Sequence, residues 1–203
     1  MVRCLDKDAA QGRVISRQHQ RLAVGVAHRG LVGVGGDVEA DIFKASGGFE
    51  IDGDSASVGE LCALISSLAD VPIRQSLAIT GSINQFGEVQ AVGGVNEKIE
   101  GFFDICRARG FDGEHGVIIP ADNVKHLMLR RDVVDAVAEK RFHVWAIETV
   151  DEGMEILTAL PMGERDEQGN YPENSVNHRV EQRLAELAEH RKTFSHIERG
   201  ESE

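Results

Sequence analysis

Apolar residues recur at two different spacings along the middle of the chain. In four segments they return every three or four residues, which predicts helices. Between these segments lie short apolar or alternating runs that end at glycine or proline, which predicts strands. The predicted helices span 56–69, 95–109, 132–140 and 149–160, and the predicted strands span 76–80, 87–94, 116–120 and 142–147. This order favours an α/β fold, with helices packed on a mixed or parallel sheet.

Capping residues refine these predictions. Gly110 is placed to end the helix that begins at residue 95. Thr149 is placed to cap the last helix, whose first turn is acidic. Asp122 and Asn123 can cap a further helix around residues 123–129.

The two ends of the chain differ from its middle. Residues 21–36 alternate apolar residues with glycine and predict one or two weak strands. After Pro161 the sequence becomes polar and rich in turn residues. Residues 179–192 then predict a lone amphipathic helix, docked on the domain or on a partner subunit.

Composition narrows the class of protein. The 203 residues carry a formal net charge of −12, which argues against a nucleic acid held through its phosphates. We find no run of 18 apolar residues and no signal peptide, so we expect a cytoplasmic protein with no membrane contact. Cys4, Cys62 and Cys106 are far apart and fit a reducing compartment. The sequence has neither an HExxH motif nor a paired-cysteine pattern, so no metal site is predicted. The glycine-rich stretch 30–36 lacks the Lys-Ser/Thr pair of a phosphate loop.

Ser55 lies where the sequence GDSASVG, at 53–59, meets an apolar helical run. One interpretation is that Asp54 or Ser55 caps the helix, which is the more common role of these residue types. The other is that Ser55 is a nucleophile, because free N–H groups at a helix start can stabilise an oxyanion. The motif GDSASVG alone favours the helix-capping role.

A nucleophilic serine also needs a base, and Lys98 is in the first turn of the helix predicted at 95–109. A lysine acts as a base only when neutral, whereas its ordinary pKa is about 10.4. Burial and the positive end of its own helix would both lower this pKa. An isolated lysine on a helix is far more often a solvated surface charge, so Lys98 alone indicates nothing specific.

Four segments taken together resemble the proteolytic domain of the Lon family of ATP-dependent proteases, in the branch whose serine motif reads GDSAS. They are DGDSAS at 52–57, SLAITGSINQFGEVQAVGG at 76–94, VGGVNEKIEGFFDICRARG at 92–110 and GVIIPADNV at 116–124. Residues 163–192 also resemble the C-terminal arm of bacterial members. On this basis we divide the chain into an atypical N-terminal segment 1–49, a Lon-type core 50–162, and a linker with a C-terminal helix 163–203.

The resemblance implies that Ser55 is the nucleophile and Lys98 its general base, a Ser–Lys dyad. It implies that Thr80 forms a hydrogen bond near the lysine. Asp54 and Gly53 are implied to shape the turn around the serine.

The resemblance also implies that Gly93 and Gly94 allow a close approach of the chain before the lysine. It further implies an endopeptidase that acts on unfolded protein, assembled as a hexameric ring of identical subunits. Lon-like enzymes use an ATPase module to supply substrate. No GxxxxGK[ST] motif occurs in this sequence, so ATP is expected on a separate module or partner and no cofactor on this chain.

Two other functions remain open at this stage. The segment before residue 50 does not resemble the family's usual beginning, which fits an inactive scaffold that keeps the fold and assembles with partners. The chain could also be another Ser–Lys hydrolase, such as an amidase of small substrates.

Overall fold

The structure, a computed structural model, describes residues 54–198. Its helices and strands follow the order that the sequence predicts, with one additional short strand. In chain order they are α1 Ser57–Ala69, β1 Leu77–Ile79, β2 Ser82–Ile83, β3 Val89–Gln90, α2 Val95–Arg109, β4 Gly116–Pro120, a 3-10 helix Ala121–His126, α3 Arg131–Ala138, β5 His143–Ile147, α4 Val150–Thr158 and α5 Val176–Glu198.

Strands β1, β4 and β5 form a parallel sheet with β4 in the centre. Ile118 of β4 is opposite Ile79 of β1 on one side and Trp145 of β5 on the other. A helix separates the members of each parallel pair along the chain, as parallel pairing requires. Strands β2 and β3 form a separate antiparallel hairpin that leaves the sheet directly after β1.

Helices cover both faces of this sheet, because successive residues of a strand point to opposite faces. Ile118 belongs to the apolar cluster that contains residues of α1 and α4. Its neighbours Val117 and Ile119 belong to the cluster that contains residues of α2 and α3. All five residues of β4 are buried, which confirms the sequence prediction of an interior strand. The central strand therefore holds the two helical layers together.

Most of the predicted elements are confirmed, two of them with the predicted bounds. Helix α2 covers the predicted 95–109, and Gly110 follows it with a φ of 91°. Thr149 caps α4, since its hydroxyl accepts a hydrogen bond from the N–H of Glu152 at 3.3 Å. The hairpin strand β2 was not predicted, because two residues are too few to show a period.

The helix predicted around residues 123–129 is wrong. A 3-10 helix, Ala121–His126, takes its place, and Pro120 precedes it without a side-chain capping bond. Asp122 and Asn123 are inside this helix rather than at its cap. The amide of Asn123 is instead bonded to the main chain of Val92, 31 positions earlier.

Helix α5 is longer than the predicted 179–192. Val176 at its start is fully buried, and Val180 packs on the same cluster as α1. Residues 181–192 are exposed without exception. The first turns of α5 are therefore docked on the domain, and the following turns extend beyond it.

Cys62 and Cys106 are buried free thiols, as the sequence predicts, and burial raises the pKa of each to about 12. Within residues 54–198 no helix has the length and apolar character to cross a membrane. No cluster of three potential metal ligands occurs in the same described part. Cys4, Gly53 and the weak strands predicted at 21–36 lie outside the described residues.

Candidate active site

Ser55 is in the turn that leads into α1, and its side chain is half-buried. The first helical residue is Ser57, and Ala56 occupies the N-cap with no side-chain capping bond. The capping interpretation of Asp54 and Ser55 is therefore wrong. Helix α1 begins without the hydroxyl of Ser55, so its start does not explain why a serine occupies this position.

Asp54 binds the turn before α1 to the hairpin of β2 and β3. Its carboxylate accepts a hydrogen bond from the hydroxyl of Ser82 in β2, and this bond is the main cause that lowers the pKa of Asp54. The hydroxyl of Ser57 donates to the main-chain oxygen of Asp54 at 3.0 Å and accepts from the N–H of Ile83 at 3.1 Å. The turn is thus held to the strand that follows Thr80.

The carbonyl oxygen of Ser55 is held by two donors. The hydroxyl of Thr80 donates to it at 3.0 Å, and the N–H of Gly81 donates at 3.0 Å. In return, the N–H of Val58 donates to the carbonyl of Gly81 at 3.3 Å. The end of β1 and the start of α1 are therefore joined at the candidate nucleophile.

Gly81 permits this junction because it has no Cβ. A Cβ at this position would lie 2.9 Å from a methyl carbon of Val89 and 3.1 Å from one of Val58. Both separations are shorter than ordinary van der Waals contacts. Any side chain here would push the strand end away from the turn that carries Ser55.

Lys98 is in the first turn of α2, and its Nζ donates a hydrogen bond to Oγ1 of Thr80 at 3.2 Å. Thr80 is fully buried, and its single hydroxyl proton is directed to the carbonyl of Ser55. Thr80 therefore accepts from Lys98, which can supply this N–H whether or not the amine is charged. In the neutral amine the nitrogen lone pair is not used by this bond.

The surroundings of Lys98 disfavour its charged form. The side chain is half-buried, and burial lowers its pKa. The N-terminal end of α2 also disfavours a cation, because the helix dipole is positive there. Both causes anticipated from the sequence are therefore present in the geometry.

Neither of the two glycines before α2 has the role expected of it. A Cβ on Gly93 would meet nothing within 4 Å, and one on Gly94 would make only an ordinary contact with Glu97 at 3.7 Å. The expected close approach of the chain is therefore wrong. Gly94 has a φ of 66° at the N-cap of α2, and that backbone conformation is what favours glycine there.

Three of the five predicted site residues, Ser55, Thr80 and Lys98, are brought together by hydrogen bonds. Asp54 is at the edge of this group, and Gly53 is outside the described residues. Gly81 was not predicted as a site residue, although a glycine directly after an apolar strand is a signal of close approach. Asn123 was predicted as a helix cap, whereas it binds the segment before Lys98.

Comparison with known proteins assigns this chain to a family. The family model of the Lon protease (S16) C-terminal proteolytic domain matches residues 35–160. The chain belongs to the Lon proteolytic-domain family. The matched range includes Ser55, Thr80 and Lys98, and its start at residue 35 falls inside the segment 1–49 that the sequence sets apart. The division at residue 50 stays a prediction.

Curated relatives give the same assignment. The chain is 59% identical over 111 residues to a putative Lon protease homolog of Escherichia coli, a match that covers 55% of this chain and 19% of that protein. It is 45% identical over 159 residues to a putative Lon protease homolog of Haemophilus influenzae, with 77% of this chain and 26% of that protein covered. An archaeal Lon protease of Thermococcus kodakarensis is 38% identical over 118 residues, or 58% of this chain and 16% of that protein. The chain thus spans about a quarter or less of the relatives it matches.

Proposed function

We propose that this chain is the proteolytic part of a Lon-like protease, and that it hydrolyses peptide bonds with Ser55 as nucleophile and Lys98 as general base. The observation that supports this most is the linkage from Nζ of Lys98 through the hydroxyl of Thr80 to the carbonyl of Ser55. It relates a half-buried amine with a lowered pKa to the main chain of a serine whose hydroxyl does not cap the helix, and this supports a dyad of the two residues. A general base needs a pKa near the working pH, which burial of an amine favours.

Acylation begins when neutral Lys98 accepts the proton of the Ser55 hydroxyl and Ser55 Oγ attacks the substrate carbonyl carbon. The protonated amine then returns that proton to the leaving amine nitrogen as the C–N bond breaks. Water, deprotonated by the same lysine, attacks the acyl-enzyme, and the proton returns to Ser55 Oγ. Thr80 keeps Lys98 in place throughout, because its hydroxyl accepts an N–H from either protonation state.

The oxyanion needs N–H donors that the fold does not already use. The N–H of Ser57 is bonded to the carbonyl of Asp54 at 3.3 Å, and that of Val58 to the carbonyl of Gly81 at 3.3 Å. Since these two N–H groups are used within the fold, we propose that the turn before them, at Ser55 and Ala56, holds the oxyanion. The sequence predicted that N–H groups at the helix start stabilise the oxyanion, and this proposal limits them to the turn before α1.

The substrate, assembly and energy source follow from the family and are part of the proposal. We infer that the substrates are unfolded proteins, and that identical subunits form a hexameric ring in the cytoplasm. An ATPase module, on the same or a partner chain, would use ATP to unfold and deliver substrate. Within residues 54–198 no three side chains are grouped as metal ligands, and the proposed chemistry requires none.

The decisive experiment compares Ser55→Ala and Lys98→Ala with two matched controls. Ser67→Ala removes an exposed serine from the end of α1, and Lys125→Ala removes an exposed lysine from the 3-10 helix. Degradation of unfolded casein is measured with and without ATP, together with labelling by a fluorophosphonate probe. We expect both site variants to lose casein degradation and both controls to keep it.

The possible outcomes distinguish the Ser–Lys protease from the inactive scaffold and from the amidase. Full activity in folded Lys98→Ala would refute the dyad. A wild-type protein that neither labels at Ser55 nor degrades casein would be an inactive scaffold. Hydrolysis of small amides without casein degradation would indicate an amidase.

A further inference from the structure

The segment that follows β4 is bonded to the chain around the start of α2 at two points, Val92 and Asn96, both before Lys98. Asn123, in the 3-10 helix, is buried, and its amide binds both polar groups of the Val92 main chain. The N–H of Val92 donates to Oδ1 of Asn123 at 3.0 Å, and Nδ2 of Asn123 donates to the carbonyl of Val92 at 2.9 Å. Val92 is three residues before α2 begins.

A second asparagine makes the same kind of contact in the opposite direction. Asn96, in the first turn of α2, donates through Nδ2 to the carbonyl of His126 at 3.2 Å and accepts from the N–H of Met128 at 2.8 Å. The two amides thus form four hydrogen bonds between the start of α2 and residues 123–128. We call this pair of contacts the asparagine clamp.

The clamp has a direct relation to the candidate site. Lys98 is two residues after Asn96, and its N–H begins the hydrogen bonding of α2 by donating to the carbonyl of Gly94. The clamp residues follow β4, which is bonded to Thr80 through Ile118 at 3.1 Å. The clamp therefore relates the element that carries Lys98 to the strand end that carries Thr80.

Apolar packing alone would not fix the position of the start of α2, which carries Lys98. Ile99 and Phe103 bury one face of α2 in the core, but apolar contacts are not directional. Hydrogen bonds fix distance and angle, and two amides at separate points of the helix start restrict both sliding and rotation. A transfer of a proton between two side chains is sensitive to such displacements.

We propose that Asn123 and Asn96 are positioning residues that hold Lys98 against Thr80. This inference rests on the proposed function, in which Lys98 is the base. Neither asparagine touches the reacting atoms, and each acts through the backbone at the start of α2. An asparagine is required rather than an aspartate, because each clamp needs an N–H donor as well as an acceptor.

The test uses Asn123→Asp, which keeps the shape and the acceptor but loses the donor, and Asn96→Ala, which removes a half-buried side chain. The matched control is Asn177→Ala, since Asn177 also donates to a main-chain carbonyl, that of Gly163 at 3.0 Å, but on α5. Two readouts are combined: the titration of Lys98 by NMR with ¹³C-labelled lysine, and kcat and KM for a peptide substrate. The chain has six lysines, and Lys98→Arg assigns the resonance.

We expect each clamp variant to move the titration of Lys98 to higher pH and to lower kcat roughly 10- to 100-fold, with a smaller change in KM. The control should change neither quantity. If Asn123→Asp does not fold, Asn96→Ala decides the matter, because its side chain is outside the core. Unchanged titration and kcat in a folded clamp variant would overturn the inference. An inactive wild type whose Lys98 titration still responds to the clamp would instead refute the proposed function and leave the positioning role standing.

Discussion

The hydroxyl of Thr80 accepts a hydrogen bond from Lys98 at 3.2 Å while it donates to the carbonyl of Ser55 at 3.0 Å. One buried side chain therefore sets the position of the candidate base relative to the main chain of the candidate nucleophile. The threonine is immediately after β1, so its place is fixed by the sheet. Four predictions follow from this arrangement and its surroundings.

Replacing Thr80 with valine should lower kcat roughly 10- to 100-fold without unfolding the protein. Valine has nearly the same shape but lacks the hydroxyl, so Lys98 loses its acceptor and the carbonyl of Ser55 loses a donor. Peptide hydrolysis and circular dichroism are measured together. Thr80→Ser, which restores the hydroxyl, should recover part of the rate, and equal loss in both variants would argue against the hydrogen bond as the cause.

The rate of peptide hydrolysis should rise with pH as Lys98 loses its proton, and this rise forms the acid limb of the pH profile. Because burial lowers the pKa of this amine, the neutral form that accepts a proton appears at lower pH than for an exposed lysine. Activity is therefore lost as the pH falls through the lowered value. A pH profile of kcat/KM measures this limb, which should lie below the ordinary lysine value of 10.5. A rate independent of pH between 6 and about 10 would count against the lysine as base.

Lys98→Met should stabilise the folded protein at neutral pH by about 1 kcal/mol, the usual gain when a functional group that opposes folding is removed. The folded state binds the lysine proton less tightly than the unfolded state, so Lys98 opposes folding wherever it is protonated when unfolded. This opposition is fully present below the lowered pKa and disappears as the pH rises through 10.5. Urea unfolding at several pH values measures the difference. A gain that stays constant above that pH would have another origin.

Gly81→Ala should destabilise the fold by about 1–3 kcal/mol and reduce activity, because the new methyl group contacts Val89 and Val58 too closely. The matched control is Gly101→Ala in the exposed interior of α2, where a Cβ meets nothing within 4 Å. That control should stabilise the protein by about 0.5–1 kcal/mol, since alanine favours the helix. Thermal unfolding of both variants, with the peptidase assay, checks the pair. Normal stability in Gly81→Ala would show that the junction can open without cost.

The sequence predicted the regular elements well where apolar spacing is long and clear. Helix α2 and strand β4 have the predicted bounds, since 15 helical residues and a fully apolar strand each carry a strong period. Strand β3 lies within the strand predicted at 87–94 but is only two residues long. The two-residue strand β2 carries too little pattern to be predicted, and the 3-10 helix is too short for its period to be distinguished. Length of the pattern therefore decided what could be predicted.

The candidate site was predicted through motifs rather than through physics. Composition and spacing favoured a capping serine and a surface lysine, and only the resemblance placed Ser55 and Lys98 together. The contacts that support them, such as Asn123 with Val92, join residues 31 positions apart. No local pattern reports a bond of that range. The partial burial of Lys98 depends on the same long-range packing.

The direct attachment of Thr80 to β4 has a further consequence. Its N–H is bonded to Ile118 in the middle of the parallel sheet, so the lysine's acceptor moves only when the most interior strand moves. Local opening of the exposed turns of α5 can occur without disturbing it, because those turns bury nothing against the sheet. This hydrogen bond therefore opens only together with the core, and the exchange of the Thr80 amide with solvent deuterium should be as slow as that of the innermost strand.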